Sequence, residues 1–399
     1  MRRLCYNTFR IFLGERTMIA YEQVENYMKE VGLKYIKNPN DFIAGLAFRT
    51  DKQYAQDMAA ELNARGEGAP VDNAHFYELK NRSLDGSVYV SAAFDGGVFR
   101  HIGNLVIDNA DLFHGSVLDL CCDCGIVTCF MARQYPAVQF TGVDMNEGAV
   151  NNAKQLAEKL GVTNATFITA DVLALELGKK FDCITSFRSL LDACELKTQG
   201  LNFVGARDER EASYRDAFLD FAGAVAAHLA DKGAFISVER YTAEYGWLGW
   251  MQALEACGLK MNADKCCEMQ AMDISNTKQY SVTFAGADGA NGALDTFNAV
   301  LSRNFKSGTG YDGGMAEFAL YYDSEGAIEF TDVMKGRRTI HQYAFATAKS
   351  GKRMYFDAAN NNRKIKYYNE KKEAKMRADF EAKLKLYDTN QFEIRKYTK

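Results

Sequence analysis

The chain has 399 residues, 47% of them apolar, with a formal net charge of -4, which is length and core material enough for two domains. No run approaches the 18 or so apolar residues that cross a membrane, and with only three prolines there is no proline-rich linker. The charge is uneven: residues 291–399 hold 20 Lys and Arg against 14 Asp and Glu, a surplus of six, so the remainder is strongly acidic.

Residues 1–17, MRRLCYNTFRIFLGERT, are basic and acid-free up to Glu15. They read as a disordered leader before a second possible start at Met18; an organelle transit peptide is the alternative. Residues 18–80 read as helical, with Tyr21, Val24, Tyr27 and Met28, then Tyr54, Met58 and Leu62, at helical spacing. Residues 84–115 are mixed and broken by glycine.

From Ser116 strand and helix alternate. SVLDL, VQFTGVD, ATFITAD, FDCITSF and GAFISVER read as strands, separated by helical stretches such as IVTCFMARQY, EGAVNNAKQLAEKLG and EASYRDAFLDFAGAVAAHLADKG. WLGWMQALEACG is a further helix and KQYSVTFA a late strand. Such alternation predicts an α/β fold, an open, Rossmann-like twisted sheet with helices on both faces. GADGANGALDTF reads as a linker. The tail then gives strands AEFALYY, AIEFTDV, RTIHQYAFAT and RMYFDA, a basic helix near Arg363 to Leu386, and a last strand QFEIRKY. It reads as a small α+β domain over residues 288–399. Its basic surplus is a docking surface for nucleic acid or protein, or else a solvated helix face, since Glu370, Glu373, Asp379 and Glu381 interrupt the run.

In an open α/β sheet ligands bind beyond the carboxyl ends of the strands. The loop there is VLDLCCDCG, residues 117–125, with a helix directly after it. Asp144 ends the second strand, nineteen residues after Gly125, where a carboxylate offers two acceptors to two vicinal hydroxyls. Asp171 and Val172 end the third strand, where an adenine amino group would find an acceptor.

Residues 116–285 resemble class I S-adenosylmethionine-dependent methyltransferases. The family's loop follows acidic-x-Gly-x-Gly-x-Gly: Asp119 matches the acidic position and Gly125 the last glycine, while Cys121 and Asp123 stand at the first two glycines. GVDMN, ADVL and FDCITSF match the ends of the next three strands. The resemblance implies seven strands with an antiparallel last one in a domain over residues 81–287, and S-adenosylmethionine as cofactor. It implies a cofactor site of Asp119, Cys121, Asp123, Gly125, Asp144, Met145, Asp171, Val172 and Ser186. It also implies that residues 18–80 form a helical lid. The two replaced glycines are the departure: each brings a side chain to a position where a ligand lies on bare backbone, and Asp123 brings a charge.

Transfer of an already activated methyl group needs positioning and exclusion of water more than a dedicated catalytic group, so no catalytic residue is assigned. No Asn/Asp-Pro-Pro-aromatic run and no Pro-Cys loop follows the fourth strand, which argues against base-amino and cytosine-carbon acceptors. Acceptor-side candidates are Arg188, Asp192, Arg240, Tyr241 and Trp247, an Arg-plus-aromatic set suited to a planar or anionic small molecule; packing of Trp247 and Trp250 is the plainer reading. His75, His101 and His114 could line the mouth, and His228 reads as solvated. The ten cysteines fall within elements, the pattern of free thiols in the cytoplasm. Cys121, Cys122, Cys124 and Cys129 lack the paired spacing of a zinc site, and no metal is expected. The leading expectation is a small-molecule methyltransferase. The alternatives are an RNA or protein methyltransferase docked by the tail, and a binding protein that has kept the fold and lost catalysis.

Overall fold

The computed structural model describes residues 21–34, 36, 38–66, 72–194, 204–205, 207–240, 244–274, 276–359 and 362–399. The predicted leader and Tyr241 lie outside them. The described residues form two compact units: 21–194, 218–240 and 254–291 in the first, and 204–205, 207–217, 244–253, 292–359 and 362–399 in the second.

Among the described residues, six helices open the first unit: α1 (Glu22–Val31), α2 (Pro39–Arg49), α3 (Lys52–Gly66), α4 (Asn73–Lys80), α5 (Leu84–Phe94) and α6 (Gly96–Asp108). Side chains of Asn38, Asp72 and Ser83 cap α2, α4 and α5 by accepting from the backbone N–H of Asp41, His75 and Gly86. The glycine-broken reading of residues 84–115 is thus corrected to two helices. Every residue from Gly86 to Ala93 is buried, so α5 is apolar or small all round and shows no amphipathic period to read.

The sheet follows as β1 (Ser116–Leu120), α7 (Ile126–Gln134), β2 (Gln139–Asp144), α8 (Glu147–Leu160), β3 (Ala165–Thr169), β4 (Phe181–Phe187), α9 (Leu190–Ala193), α10 (Arg207–His228), β5 (Leu229–Arg240), α11 (Glu244–Ala256), β6 (Lys260–Met261), β7 (Cys267–Met272) and β8 (Thr277–Gly286). The strand order is β3-β2-β1-β4-β5-β8-β6, with β7 also on β8. The first five strands are mutually parallel and β8 runs antiparallel to β5. Helices α10 and α11 divide their residues between the units. Strands β6 and β7 were not legible: one is two residues long and the other, CEMQAM, is Met-rich and half-polar. Strand β5 also begins at Leu229, directly after the helix, where the sequence suggested Gly233. The order reverses between β1 and β4, which puts the crevice at the β1 loop.

The second unit holds α12 (Ala293–Ser302), β9 (Tyr311–Asp312), α13 (Gly314–Asp323), β10 (Ser324–Lys335), β11 (Arg338–Ala348), β12 (Arg353–Ala359), β13 (Asn362–Tyr368), α14 (Glu373–Leu384) and β14 (Glu393–Thr398). Its antiparallel sheet has the order β14-β10-β11-β12-β13-β9. Both faces are covered. Ala316, Ala319 and Leu320 of α13 pack with Phe330, Ala344 and Phe356, while Phe380 and Leu384 of α14 pack with Val333, Tyr343 and Phe345. Residues 343–346 alternate between the two cores, as strand geometry requires.

Three tail readings are corrected. AEFALYY is helix α13: Ala316, Ala319 and Leu320 share one helical face, and the aromatic content misled toward a strand. Part of the supposed linker is α12. The single basic helix is β13 followed by α14, because Arg363 and Ile365 alternate with exposed Lys364 and Lys366. Several of the tail's basic residues have acidic partners: Arg377 pairs with Glu329 and Glu373, Arg395 with Glu393, Arg353 with Glu370 and Lys396 with Glu381.

Asp357 accepts from Lys383 and from His341 Nε2 at 2.7 Å, and Tyr387 meets His341 Nδ1 at 2.8 Å. Burial alone would raise this carboxyl, but the His341 and Lys383 partners outweigh it and hold the pKa at about 2. A lowered carboxyl pKa gives stability that is present above the ordinary carboxylate range and lost as pH falls toward 2. Asp357→Asn is therefore expected to destabilise the second unit by about 1 kcal/mol at pH 7, a value discounted for partial exposure, and to have no effect near pH 2. Acid titration of unfolding in both proteins checks it.

Candidate cofactor and acceptor site

The β1 loop turns tightly: Cys122 N–H donates to Val143 O and Gly125 N–H to Cys122 O, both at 2.9 Å. Cys121 (φ 54°), Asp123 (φ 49°) and Gly125 (φ 75°) are all left-handed. These are the three positions where the resemblance puts glycine. A cysteine and an aspartate hold that conformation at a cost of about 1 kcal/mol each. Gly125 also has no room for a side chain, since a Cβ there would sit 2.8 Å from the Ala153 Cβ of α8. Gly142 does the same under the loop, where a Cβ would sit 2.9 Å from Cys122 Sγ.

Each acidic side chain has a defined partner. Asp119 accepts from Thr128 at 2.5 Å and Thr185 at 2.8 Å, so it braces the loop against α7 and β4. Burial raises its carboxyl to about 6. Asp123 turns toward the end of α4: Lys80 Nζ donates to it at 2.6 Å and Asn81 Nδ2 at 3.2 Å. Burial works against its charge, yet Lys80 and Asn81 hold its pKa below the usual carboxylate range. Asp144 accepts from the backbone N–H of Asp123 and of Asn146, one on each oxygen, at 2.9 Å. Burial, then repulsion from Asp123, raise it to about 6. Each of its oxygens keeps a lone pair for a ligand hydroxyl.

A cavity of about 710 Å³ opens over the loop, within the range of small-molecule sites. Asp119, Cys121, Asp123, Asp144, Met145, Asp171 and Val172 all line it. Met145 is 69% exposed at its lip, and Asp171 caps a 3-10 turn by accepting from Leu173 N–H at 2.9 Å. The helical extension contributes Tyr77, Lys80, Ser91, Phe94, Val98 and Phe99. Tyr27 ties that extension to the start of α7 by donating to Ile126 O at 2.6 Å. Arg188, Asp192 and Arg240 line the same cavity. Tyr77 donates to Asp192 at 2.7 Å, and Arg188, itself left-handed at φ 63°, pairs with Asp95. Burial, then the nearby Arg240, lower the Arg188 pKa.

Gly125 shapes the loop without lining the cavity. Ser186 lies beneath it, fully buried, bonded to Glu239 at 2.7 Å and Ser189 at 2.6 Å. Trp247 and Trp250 are buried in the second unit and line no part of this cavity. His75, His101 and His114 do not line it either. His228 is buried, accepting from Leu177 N–H at 3.3 Å, so its solvated reading is corrected. Burial pushes the thiols of Cys121, Cys122 and Cys124 well up and that of Cys129 to about 12; these are protonated packing groups at neutral pH. Among the described residues no group of three His, Cys, Asp or Glu is placed to hold a metal ion.

Sequence reasoning missed Lys80, Asn81, Tyr77, Ser91 and Glu239. Only Glu239 left a signal, as a charged residue in an otherwise apolar strand. Its carboxylate accepts from Ser186 and, at 3.1 Å, from Leu190 N–H, and burial raises it to about 7. A raised carboxyl pKa gives stability that is full below about 4.5 and lost as pH rises through about 7. Glu239→Gln, which mimics the protonated form, should match the parent at pH 4.5 and exceed it at pH 8 by on the order of 3 kcal/mol. Urea titrations at the two pH values test this, and a constant difference between the proteins would refute it.

These residues fit S-adenosylmethionine. The backbone keeps the bare-loop conformation, the intruding carboxylate is drawn away by Lys80, and Asp144 stands at the cavity with acceptor capacity. The Ser91 hydroxyl, buried on the cavity wall, has no hydrogen-bond partner, as expected of a group that a ligand satisfies.

Residues 114–237 match a family model described as a methyltransferase domain. These residues are thus similar to a methyltransferase domain. In particular, the chain is 28% identical over 142 residues to a probable (S)-tetrahydroprotoberberine N-methyltransferase 2 of Papaver bracteatum, covering 32% of this chain and 40% of that one. It is 32% identical over 78 residues to ribosomal RNA small subunit methyltransferase C of Haemophilus ducreyi, covering 20% of this chain and 23% of that one. With the release factor glutamine methyltransferase of Vibrio cholerae it shares 34% identity over 83 residues, or 21% and 29% of the two chains. The chain thus spans less than half the length of each of these relatives. The crystal structure of magnesium protoporphyrin IX methyltransferase from Synechocystis PCC 6803 with bound SAM overlaps 54% of this chain and 98% of its own at 14% identity, with a TM-score of 0.36. Among the described residues no helix is long and apolar enough to cross a membrane.

Proposed function

We propose that this protein is a methyltransferase that uses S-adenosylmethionine to methylate a small molecule. The observation that carries the proposal is the pairing of Asp123 with Lys80 beside a loop whose three key residues keep the left-handed backbone. A decayed loop has no reason to keep that conformation once glycine is lost. Bound at the loop, the cofactor supplies an activated methyl group. Asp144 accepts from its ribose hydroxyls, Asp171 and Val172 hold the adenine, and Ser91 answers a polar atom from above. The helical extension covers the cavity and excludes water. Arg188, Arg240 and Asp192, with Phe94 and Phe99, orient a planar or anionic acceptor within the same cavity.

The depth of this lining, much of it aromatic or aliphatic, favours a small acceptor. Pairing of several basic residues in the tail speaks against a one-sign docking stripe. Cys121, Cys122, Cys124, Cys129, Cys183, Cys194 and Cys257 are free thiols, which supports a cytoplasmic setting. Calorimetric titration with S-adenosylmethionine and S-adenosylhomocysteine tests the cofactor, and no affinity for either would leave only a binding protein with the fold. Incubation of the full chain with methyl-labelled cofactor and fractionated cell extract tests the acceptor. Label in the low-molecular-weight fraction is expected; label in RNA or protein would replace the acceptor class and leave the enzyme reading standing.

A further inference from the structure

We infer that the second unit carries a separate binding site for a small aromatic carboxylate. A cavity of about 210 Å³ lies there, walled by Tyr245, Phe297, Phe318, Tyr321 and Tyr322, with Arg207 and Asn298 as its nitrogen donors. A cavity of about 150 Å³ suffices for benzene, so one ring with one acidic substituent fits this space. Five aromatic walls select a flat, apolar body.

The polar groups select the substituent. The Arg207 guanidinium is clamped between two rings, 4.4 Å from the Tyr321 centroid and 4.9 Å from that of Tyr245. Its Nε donates to Glu211, which leaves the terminal nitrogens of the fork for a ligand. The Tyr245 side chain is 2% exposed, and its hydroxyl has no hydrogen-bond partner. A buried hydroxyl without a partner is costly and rare in a finished core; Tyr245 itself lines the cavity, with the Arg207 guanidinium over its ring. The surrounding charge agrees. Glu317 is shared by Arg210 and Arg363, and Arg210 lies 5.2 Å from the Tyr245 ring centroid. Three guanidiniums therefore face two carboxylates, Glu211 and Glu317, and the cluster is one negative charge short. A ligand carboxylate supplies that charge, accepts from the Arg207 fork and the Tyr245 hydroxyl, and leaves its ring against Phe297 and Phe318. The site does not depend on the methyltransferase reading.

The test uses the full chain with benzoate as probe and benzyl alcohol as a neutral analogue of like shape, followed by saturation-transfer NMR and calorimetry. Benzoate is expected to bind with a dissociation constant at or below about 1 mM, a modest demand on a nine-atom ligand, and benzyl alcohol at least about tenfold more weakly. Tyr245→Phe and Arg207→Lys should each weaken benzoate about tenfold, the lysine keeping its charge beside Glu211 but losing the fork. Leu294→Trp, at a half-exposed position on the lining, should block the cavity without touching the core; it serves if either other variant fails to fold. No benzoate binding, equal binding of both probes, or binding that survives all three substitutions overturns the proposal.

Discussion

Asp123→Gly, which restores the glycine of the methyltransferase loop, is expected to destabilise the first unit by about 2–3 kcal/mol. Backbone strain alone favours glycine. Asp123 sits at φ 49°, so glycine relieves about 1 kcal/mol of left-handed strain. Lys80 decides the balance. Only 5% of it is exposed, and Asp123 is its ion-pair partner at 2.6 Å. Breaking a buried pair from one side costs about 3–5 kcal/mol, because the remaining charge stays desolvated. The Asn81 amide also loses an acceptor. The side chain of Asp123 is 26% exposed, which puts the cost toward the lower end. The double variant Asp123→Gly, Lys80→Met removes both charges, keeps the apolar stem, and should return to within about 1 kcal/mol of the parent. Denaturant unfolding of the four proteins closes the cycle, with a coupling of at least about 2 kcal/mol expected. A single glycine variant as stable as the parent would show that Lys80 does not depend on Asp123.

The same pair marks where sequence reading succeeds and where it stops. The parallel sheet was legible because each strand ends in a signal of its own: Asp119 after an apolar run, Asp144 after VQFTGV, Asp171 after ATFITA. Short βα spacing fixes their order along one sheet edge. What Asp123 does there was not legible, because its partner lies 43 residues earlier at the end of a helix with no motif. Helix α5 was unreadable because burial on every side erases the amphipathic period. Ser186 was placed by analogy with the family, but in this chain Glu239 claims its hydroxyl, and nothing local in SVER announces that. In the tail, aromatic residues occur in α13 as well as in the strands, so composition could not separate them; only the i, i+3, i+4 set of Ala316, Ala319 and Leu320 could. Trp247 illustrates a further limit: position after β5 suggested the acceptor side, but its residue range belongs to the second unit.

Cofactor affinity should rise with pH through about 6 and level off above it, and Asp144 is the reason. Its carboxyl is raised to about 6 by burial first and by Asp123 second, against backbone donation from Asn146 and Asp123 and the more distant Lys80. Ribose hydroxyls donate to the ionised form, so binding favours loss of that proton. The affinity for S-adenosylhomocysteine is expected to fall about tenfold from pH 7.5 to pH 5, one unit below the midpoint. Asp144→Asn removes the titration and weakens binding at pH 7.5 by roughly 100-fold, the scale of two hydrogen bonds to a charged acceptor. Asp119 is also raised to about 6, but its oxygens are engaged by Thr128 and Thr185 beneath the loop, so the asparagine variant separates the two groups. If that variant keeps the parent's slope, the titrating group is Asp119. If the parent shows no slope, Asp144 does not meet the ligand, and the two hydroxyl contacts assigned to it are wrong. Calorimetry at four pH values with each protein distinguishes these cases, because a structural role for Asp144 would lower affinity equally at every pH while a direct contact removes the pH dependence itself.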